Sequence, residues 1–117
     1  MHELAITESI LSIADQAAKE NNGTKVTDIY LILGQLSSIV DDSVQFYWDH
    51  ISLGTVCEGA VLHFERRPAM LRCKSCNHQY PLGEILQTCP NCQSPDVFIE
   101  AGEEMLVHHI DILREEP

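Results

Sequence analysis

The chain has 117 residues, 44% of them hydrophobic, with eighteen Asp and Glu against seven Lys and Arg and a formal net charge of −11. That length fits one domain with room for a small appendage, and the acidity argues against a nucleic-acid binder, which needs a basic face. No apolar run is long enough to span a bilayer and no basic n-region opens the chain, so the expectation is a cytoplasmic protein without a membrane segment.

Met1-His2-Glu3 gathers nitrogen donors at the start of the chain. His2 is too large for methionine aminopeptidase to act before it, so Met1 is expected to stay and to keep a free α-amine. The amine, the His2 imidazole and the backbone amides of His2 and Glu3 can form fused chelate rings, which suit square-planar Ni(II) or Cu(II). The same residues also serve as the first turn of a helix, with Glu3 beside the positive end of the dipole.

Residues 3–20 carry Ile6, Ile10, Ile13 and Ala17 at helical spacing and predict an amphipathic helix. Asn21-Asn22-Gly23 ends it, because these residues accept the left-handed conformation of a C-terminal cap. Residues 25–33 are rich in β-branched and aromatic side chains and predict a strand. Asp41 or Asp42 is expected to cap a second helix, with Val44, Trp48 and Ile51 on one face and Gly54 near its end. Residues 60–67 alternate Leu62 and Phe64 with His63 and Glu65 as a second strand, closed by Pro68.

Residues 70–95 read as an irregular, turn-rich lobe, followed by a short strand at 97–99, a turn at Gly102 and a last strand at 106–113. The predicted fold class is therefore α/β (α+β): a small three-stranded sheet with two helices and an inserted zinc-ribbon-like lobe. The expected division is 1–68 with 96–117 as an α/β domain and 69–95 as the metal domain.

Inside the lobe the pattern is Cys73-x2-Cys76-x12-Cys89-x2-Cys92. A CxxC turn aims two sulfurs at one centre, while following backbone amides donate to the thiolates. Two such knuckles close a tetrahedron around zinc with Zn–S bonds of about 2.3 Å. Four cysteines in exact pairs point to metal in a reducing compartment rather than to disulfides. Sulfur tetrahedra also accept iron, so a rubredoxin-like FeS4 electron carrier is the rival reading, and a zinc-ribbon assembly adaptor a third. Against iron, Tyr80 is the one aromatic near the cysteines. The fifth cysteine, Cys57, reads as a small buried hydrophobe. His78 lies two residues past Cys76, either as a solvated loop histidine or as an outer or exchangeable ligand. His108 and His109 fall on opposite faces of a strand, which is wrong for two ligands of one ion. His50 and His63 carry no signal of their own.

Met1-His2-Glu3-Leu4, the helix after it, Leu33-Gly34-Gln35-Leu36-Ser37 and the Cys73/Cys76/Cys89/Cys92 lobe together resemble the HypA/HybF family, over essentially the whole chain and in the family's order. The family comprises nickel metallochaperones of [NiFe]-hydrogenase maturation, some of which also serve urease. The resemblance implies that His2 binds nickel with Glu3 beside it, that the four cysteines hold structural zinc, and that the partners are a HypB-type GTPase and the hydrogenase large subunit. Asp41 is an accessory nickel contact by the same resemblance. Some relatives carry a histidine shortly after each CxxC. Here His78 matches the first, but Gln93 and Ser94 follow the second. Nothing in the chain resembles a nucleophile–base pair or a phosphate-cradling loop, so the expectation is a carrier and not an enzyme.

Overall fold

The structure, a computed structural model, describes residues 3–114. Its first element is α1, Glu3–Glu20, followed by β1, Gly23–Gly34. Then come α2, Asp41–Ile51, and β2, Val61–Arg67. Three short strands follow, β3 Met70–Cys73, β4 Gln79–Pro81 and β5 Val97–Ala101, and β6, Met105–Arg114, is the last. Two three-stranded sheets result, in the orders β2-β1-β6 and β4-β3-β5. The chain divides into two compact units: Met1–Leu31, Ile39–Glu65 and Leu106–Pro117 form one, and Ile32–Ser38 with Arg66–Met105 the other.

In the first unit α1 forms where the periodicity puts it, but the face it buries is turned from the apolar stripe. Thr7, Ile10, Ala14 and Ala18 are buried, whereas Ile13 is 48% exposed. The helix passes close to the start of β1, where a methyl on Gly23 would collide with Ile112 and lie against the backbone of Ala18. The Thr7 hydroxyl is satisfied by the Glu3 carbonyl one turn back. Asn22 adopts φ 55° at the end of α1, the left-handed cap expected of this Asn-Asn-Gly segment.

The start of α2 corrects the expected cap. Val40 is the N-cap and makes no side-chain capping bond; Asp41 and Asp42 instead lie in the first turn, where their charge meets the helix dipole. α2 packs on α1 through Val44 and Trp48, both buried. The Trp48 indole N–H donates to the Ala60 carbonyl at 3.1 Å, which removes the cost of burying that polar atom. Cys57 is fully buried beside this core, and burial pushes its thiol up to about 11.

On β1, Asp28 and Tyr30 share a face with His63 of β2 and with His109 and Asp111 of β6. The Tyr30 and His63 rings stack at 4.4 Å, and the His109 ring lies 5.3 Å from Tyr30 on the other side. Asp28 accepts from His63 Nε2 at 2.8 Å, and Asp111 from His109 Nε2 at 2.6 Å. Thr24 reaches the Leu113 carbonyl and Thr27 the Asp111 carbonyl, so numbers rise on β1 as they fall on β6, the antiparallel sense. His63 thus has a structural role that no sequence signal announced.

The second unit corrects the reading of 70–95 as irregular. β3 pairs antiparallel with β4, Leu71 opposite Tyr80, and with β5, Leu71 opposite Ile99. The strand predicted at 97–99 is thereby longer and belongs to this second sheet. Its core is Leu71, Cys73, Tyr80 and Cys89, with Leu82 and Val97 packed against them. Gly102 turns the chain at φ 141°, and any side chain on Gly34 would run into the Gly102 carbonyl. The Glu104 carboxylate closes the turn by accepting from the Gly102 and Glu103 N–H groups.

Two outcomes follow for stability. Trp48→Ala leaves a large void and an orphaned Ala60 carbonyl, and should lower stability by about 3–5 kcal/mol in urea unfolding followed by circular dichroism. The second concerns acid. The hydrogen bond from His63, then that from Thr27, holds the Asp28 carboxyl below its usual range. A depressed carboxyl pKa stabilises the fold above its unfolded value of about 3.9 and loses that contribution as pH falls through the folded value. Wild type should therefore exceed Asp28→Asn in urea midpoint above about pH 5, and the gap should shrink as pH falls through the depressed folded value of the carboxyl. Parallel pH profiles for the two proteins would show that the pair contributes nothing.

Candidate metal centre

The two CxxC segments form the same turn twice. In the first, the Cys73 N–H donates to the His78 carbonyl at 3.0 Å and the Asn77 N–H to the Cys73 carbonyl at 2.9 Å. In the second, the Cys89 N–H donates to the Ser94 carbonyl at 3.0 Å and the Gln93 N–H to the Cys89 carbonyl at 2.7 Å. Asn77 and Gln93, each just past the second cysteine of its pair, sit at φ 63° and 64°. This left-handed step bends each knuckle so that both of its sulfurs face inward.

The turns bring all four sulfurs within 4.8 Å of one another. Cys73 Sγ lies 3.5 Å from Cys92 Sγ, and Cys76 Sγ lies 3.6 Å from Cys89 Sγ. A sulfur tetrahedron with metal–sulfur bonds of about 2.3 Å has edges of about 3.8 Å, so the quartet is already close to the shape of a coordination shell. Cys73 and Cys89 are buried in the lobe core, while Cys76 and Cys92 reach solvent.

Electrostatics points the same way. The Asn91 side-chain amide, then the His78 N–H, brings the Cys76 thiol down to about 6. At Cys73 burial opposes ionisation, but the N–H groups of Cys76 and Ser75 outweigh it and the thiol is lowered. At Cys92 the Ser94 N–H favours the thiolate, yet the crowding of the other sulfurs pushes the group up to about 12. Hydrogen bonds thus favour the first ionisations, and mutual repulsion resists the last. A dication at the centre relieves that repulsion, and an all-sulfur tetrahedral donor set with no open position fits structural zinc.

His78 is outside this donor group. Its ring stacks on Tyr80 with centroids 6.0 Å apart, and its backbone belongs to the first knuckle. Asn91 is the residue that sequence reasoning missed. Its side chain crosses from the second knuckle to donate to Cys76 Sγ at 3.4 Å. The one hint in the sequence was an amide between two cysteines, and it did not say which sulfur the amide would reach.

The predicted nickel donors stand differently. Met1 and His2 lie outside the described residues. Glu3 begins α1, and its carboxylate accepts the Val40 N–H at 3.3 Å. Its own backbone N–H, with that of Val40, holds the carboxyl below the usual range. Glu3 therefore bridges the start of α1 to the N-cap of α2, and Asp41 is the next residue along.

A family model described as "Hydrogenase/urease nickel incorporation, metallochaperone, hypA" matches residues 1–112. The chain belongs to the HypA family. It is 38% identical over 112 residues to a hydrogenase maturation factor HypA of Dehalococcoides mccartyi (strain CBDB1), covering 96% of this chain and 94% of the relative. It is 35% identical over 112 residues to the HypA of Geobacter sp. (strain M21), covering 96% and 99%. Among solved structures, that of the nickel metallochaperone HypA from Helicobacter pylori aligns with a TM-score of 0.73 at 25% identity, over 98% of this chain and all of the other. A second HypA solution structure aligns with a TM-score of 0.79, also at 25% identity, over 98% of each chain. The two-helix fold and the four-cysteine lobe of this chain are thus those of HypA proteins.

Purified protein should carry one zinc per chain by elemental analysis. Cys73→Ala or Cys92→Ala should lose it and unfold residues 70–95, because metal binding supplies on the order of 10–16 kcal/mol to a lobe with so small a core. A full zinc equivalent retained after replacement of all four cysteines would sink the assignment.

Proposed function

We propose that this HypA-family metallochaperone carries nickel for hydrogenase maturation on its extreme N-terminus, with its zinc lobe serving structure alone. The observation that carries the reading is the family match over residues 1–112 together with a coordinatively closed four-sulfur site. A closed sulfur tetrahedron suits retention, not delivery, so the cargo needs other donors.

The proposed cargo is Ni(II), bound by the His2 imidazole and the backbone nitrogens of residues 1–3, with the Met1 amine as a further donor. Glu3 contributes its amide; its carboxylate is already engaged with the Val40 N–H and acts by fixing the start of α1. Asp41 is an accessory contact. Nickel handling is assigned to residues 1–68 and 96–117, and zinc to 69–95 through Cys73, Cys76, Cys89 and Cys92.

The proposed partners are a HypB-type GTPase and the [NiFe] hydrogenase large subunit, met in the cytoplasm. No helix of the described residues is long and apolar enough to cross a membrane. Carriage of this kind requires no catalysis by the chain itself, and nucleotide hydrolysis is left to the GTPase. The excess of eighteen acidic over seven basic residues disfavours nucleic acid as a partner. Colour separates this reading from the electron-carrier rival, since oxidised FeS4 is red and a zinc site is colourless.

The test is calorimetric nickel titration of the wild type, of His2→Ala and of a form extended at its N-terminus, with hydrogenase maturation followed in cells. Both altered proteins should lose specific nickel binding while keeping zinc and fold, because the two sites use different atoms of different softness. Equal nickel affinity in wild type and His2→Ala would reduce the terminus to a helix start.

A further inference from the structure

The two knuckles are tied to each other by side chains outside the sulfur quartet. Asn91, the residue before Cys92, donates Nδ2–H to Cys76 Sγ of the opposite knuckle at 3.4 Å. Ser75, in the matching place before Cys76, donates to Ser94 Oγ at 3.1 Å. Backbone amides already serve the sulfurs in both turns, the Ser75 N–H reaching Cys73 Sγ at 3.3 Å. Asn91 adds the one side-chain N–H seen on these sulfurs among the described residues.

The place it serves matters for exchange. A metal leaves a closed tetrahedral site one ligand at a time, beginning with a sulfur that solvent or a competing ligand can reach. Cys73 and Cys89 are sealed in the lobe core, whereas Cys76 and Cys92 face outward. Cys76 is the outward sulfur that receives the amide. A thiolate held by an N–H from the opposite knuckle cannot swing out without breaking that link, and its charge is less available to protons and electrophiles. Asn91 itself is exposed and is not part of the lobe's apolar core, so its replacement acts first on the sulfur it serves.

We infer that Asn91 is a positioning residue that pins Cys76 and thereby slows release of the metal through that outward sulfur. The inference rests on the reading of the quartet as a zinc site. The paired serines supply an internal control, because Ser75 joins the knuckles without touching a sulfur side chain through its hydroxyl.

The test uses the zinc-loaded full chain and the rate of zinc transfer to excess 4-(2-pyridylazo)resorcinol at neutral pH. Asn91→Ala and Asn91→Asp should release zinc about tenfold faster or more, in line with the roughly 10–100-fold cost in metal affinity of losing an outer-sphere partner, and Ser75→Ala should stay within about twofold of wild type. All should begin with one zinc per chain. In the cobalt-substituted protein the sulfur-to-metal charge-transfer band should move to lower energy in both Asn91 variants, because the sulfur lone pair loses the N–H that stabilised it. Asn91→Asp keeps the size and shape of the side chain, so it decides the matter if Asn91→Ala does not fold. Release at the wild-type rate with an unmoved cobalt band overturns the inference. Equal acceleration by Ser75→Ala also overturns it, by assigning the effect to the general clasp between knuckles. Wild type that binds neither zinc nor cobalt fails at the earlier step, the zinc reading itself.

Discussion

Four sulfurs within 4.8 Å of one another cannot all be thiolates unless a cation sits among them. The second unit is built around this constraint. Its apolar core is Leu71 and Tyr80 with the two buried cysteines, flanked by Leu82 and Val97, too little to order a lobe of this length by the hydrophobic effect alone. Cys73 and Cys89 are therefore both core residues and candidate ligands, and a metal bound by the quartet would also join β3 to the turn that carries the second pair. The short strands β3, β4 and β5 would then have fixed ends between which to pair.

The same constraint separates the two kinds of chemistry in the chain. A site that must hold its metal for the fold to survive is a poor site from which to give metal away. Soft sulfur in a closed shell serves the first purpose, and the proposed nitrogen set at the N-terminus serves the second. Among the described residues, Glu3 is bound through its carboxylate to Val40, the N-cap of α2, and Asp41 is the next residue along.

The first unit owes its order to ordinary packing, with Trp48 as the central side chain of the helix pair, and polar contacts refine it. On one sheet face the Tyr30 ring lies between His63 and His109, each histidine held by a carboxylate. Neither histidine lies at ligand spacing in the chain. They meet Tyr30 because β2 and β6 flank β1, an order that no local pattern encodes.

What the sequence determined was chemistry and periodicity. The CxxC pairs named the four sulfurs that gather, the Asn-Asn-Gly segment named the end of α1, and helical spacing marked both helices, because each of these is a property of a few neighbouring residues. Three things waited for the tertiary structure. The buried face of α1 is Thr7, Ile10, Ala14 and Ala18 and leaves Ile13 exposed, since what a helix buries is set by the elements packed against it, which local spacing does not name. The strands of the cysteine lobe are only three to five residues long, too short for a period to declare itself until β3 found β4 and β5. The reach of Asn91 to Cys76 joins residues fifteen apart across two facing turns. Such a contact depends on where the turns stand in space, and the order of residues within either turn does not contain that distance.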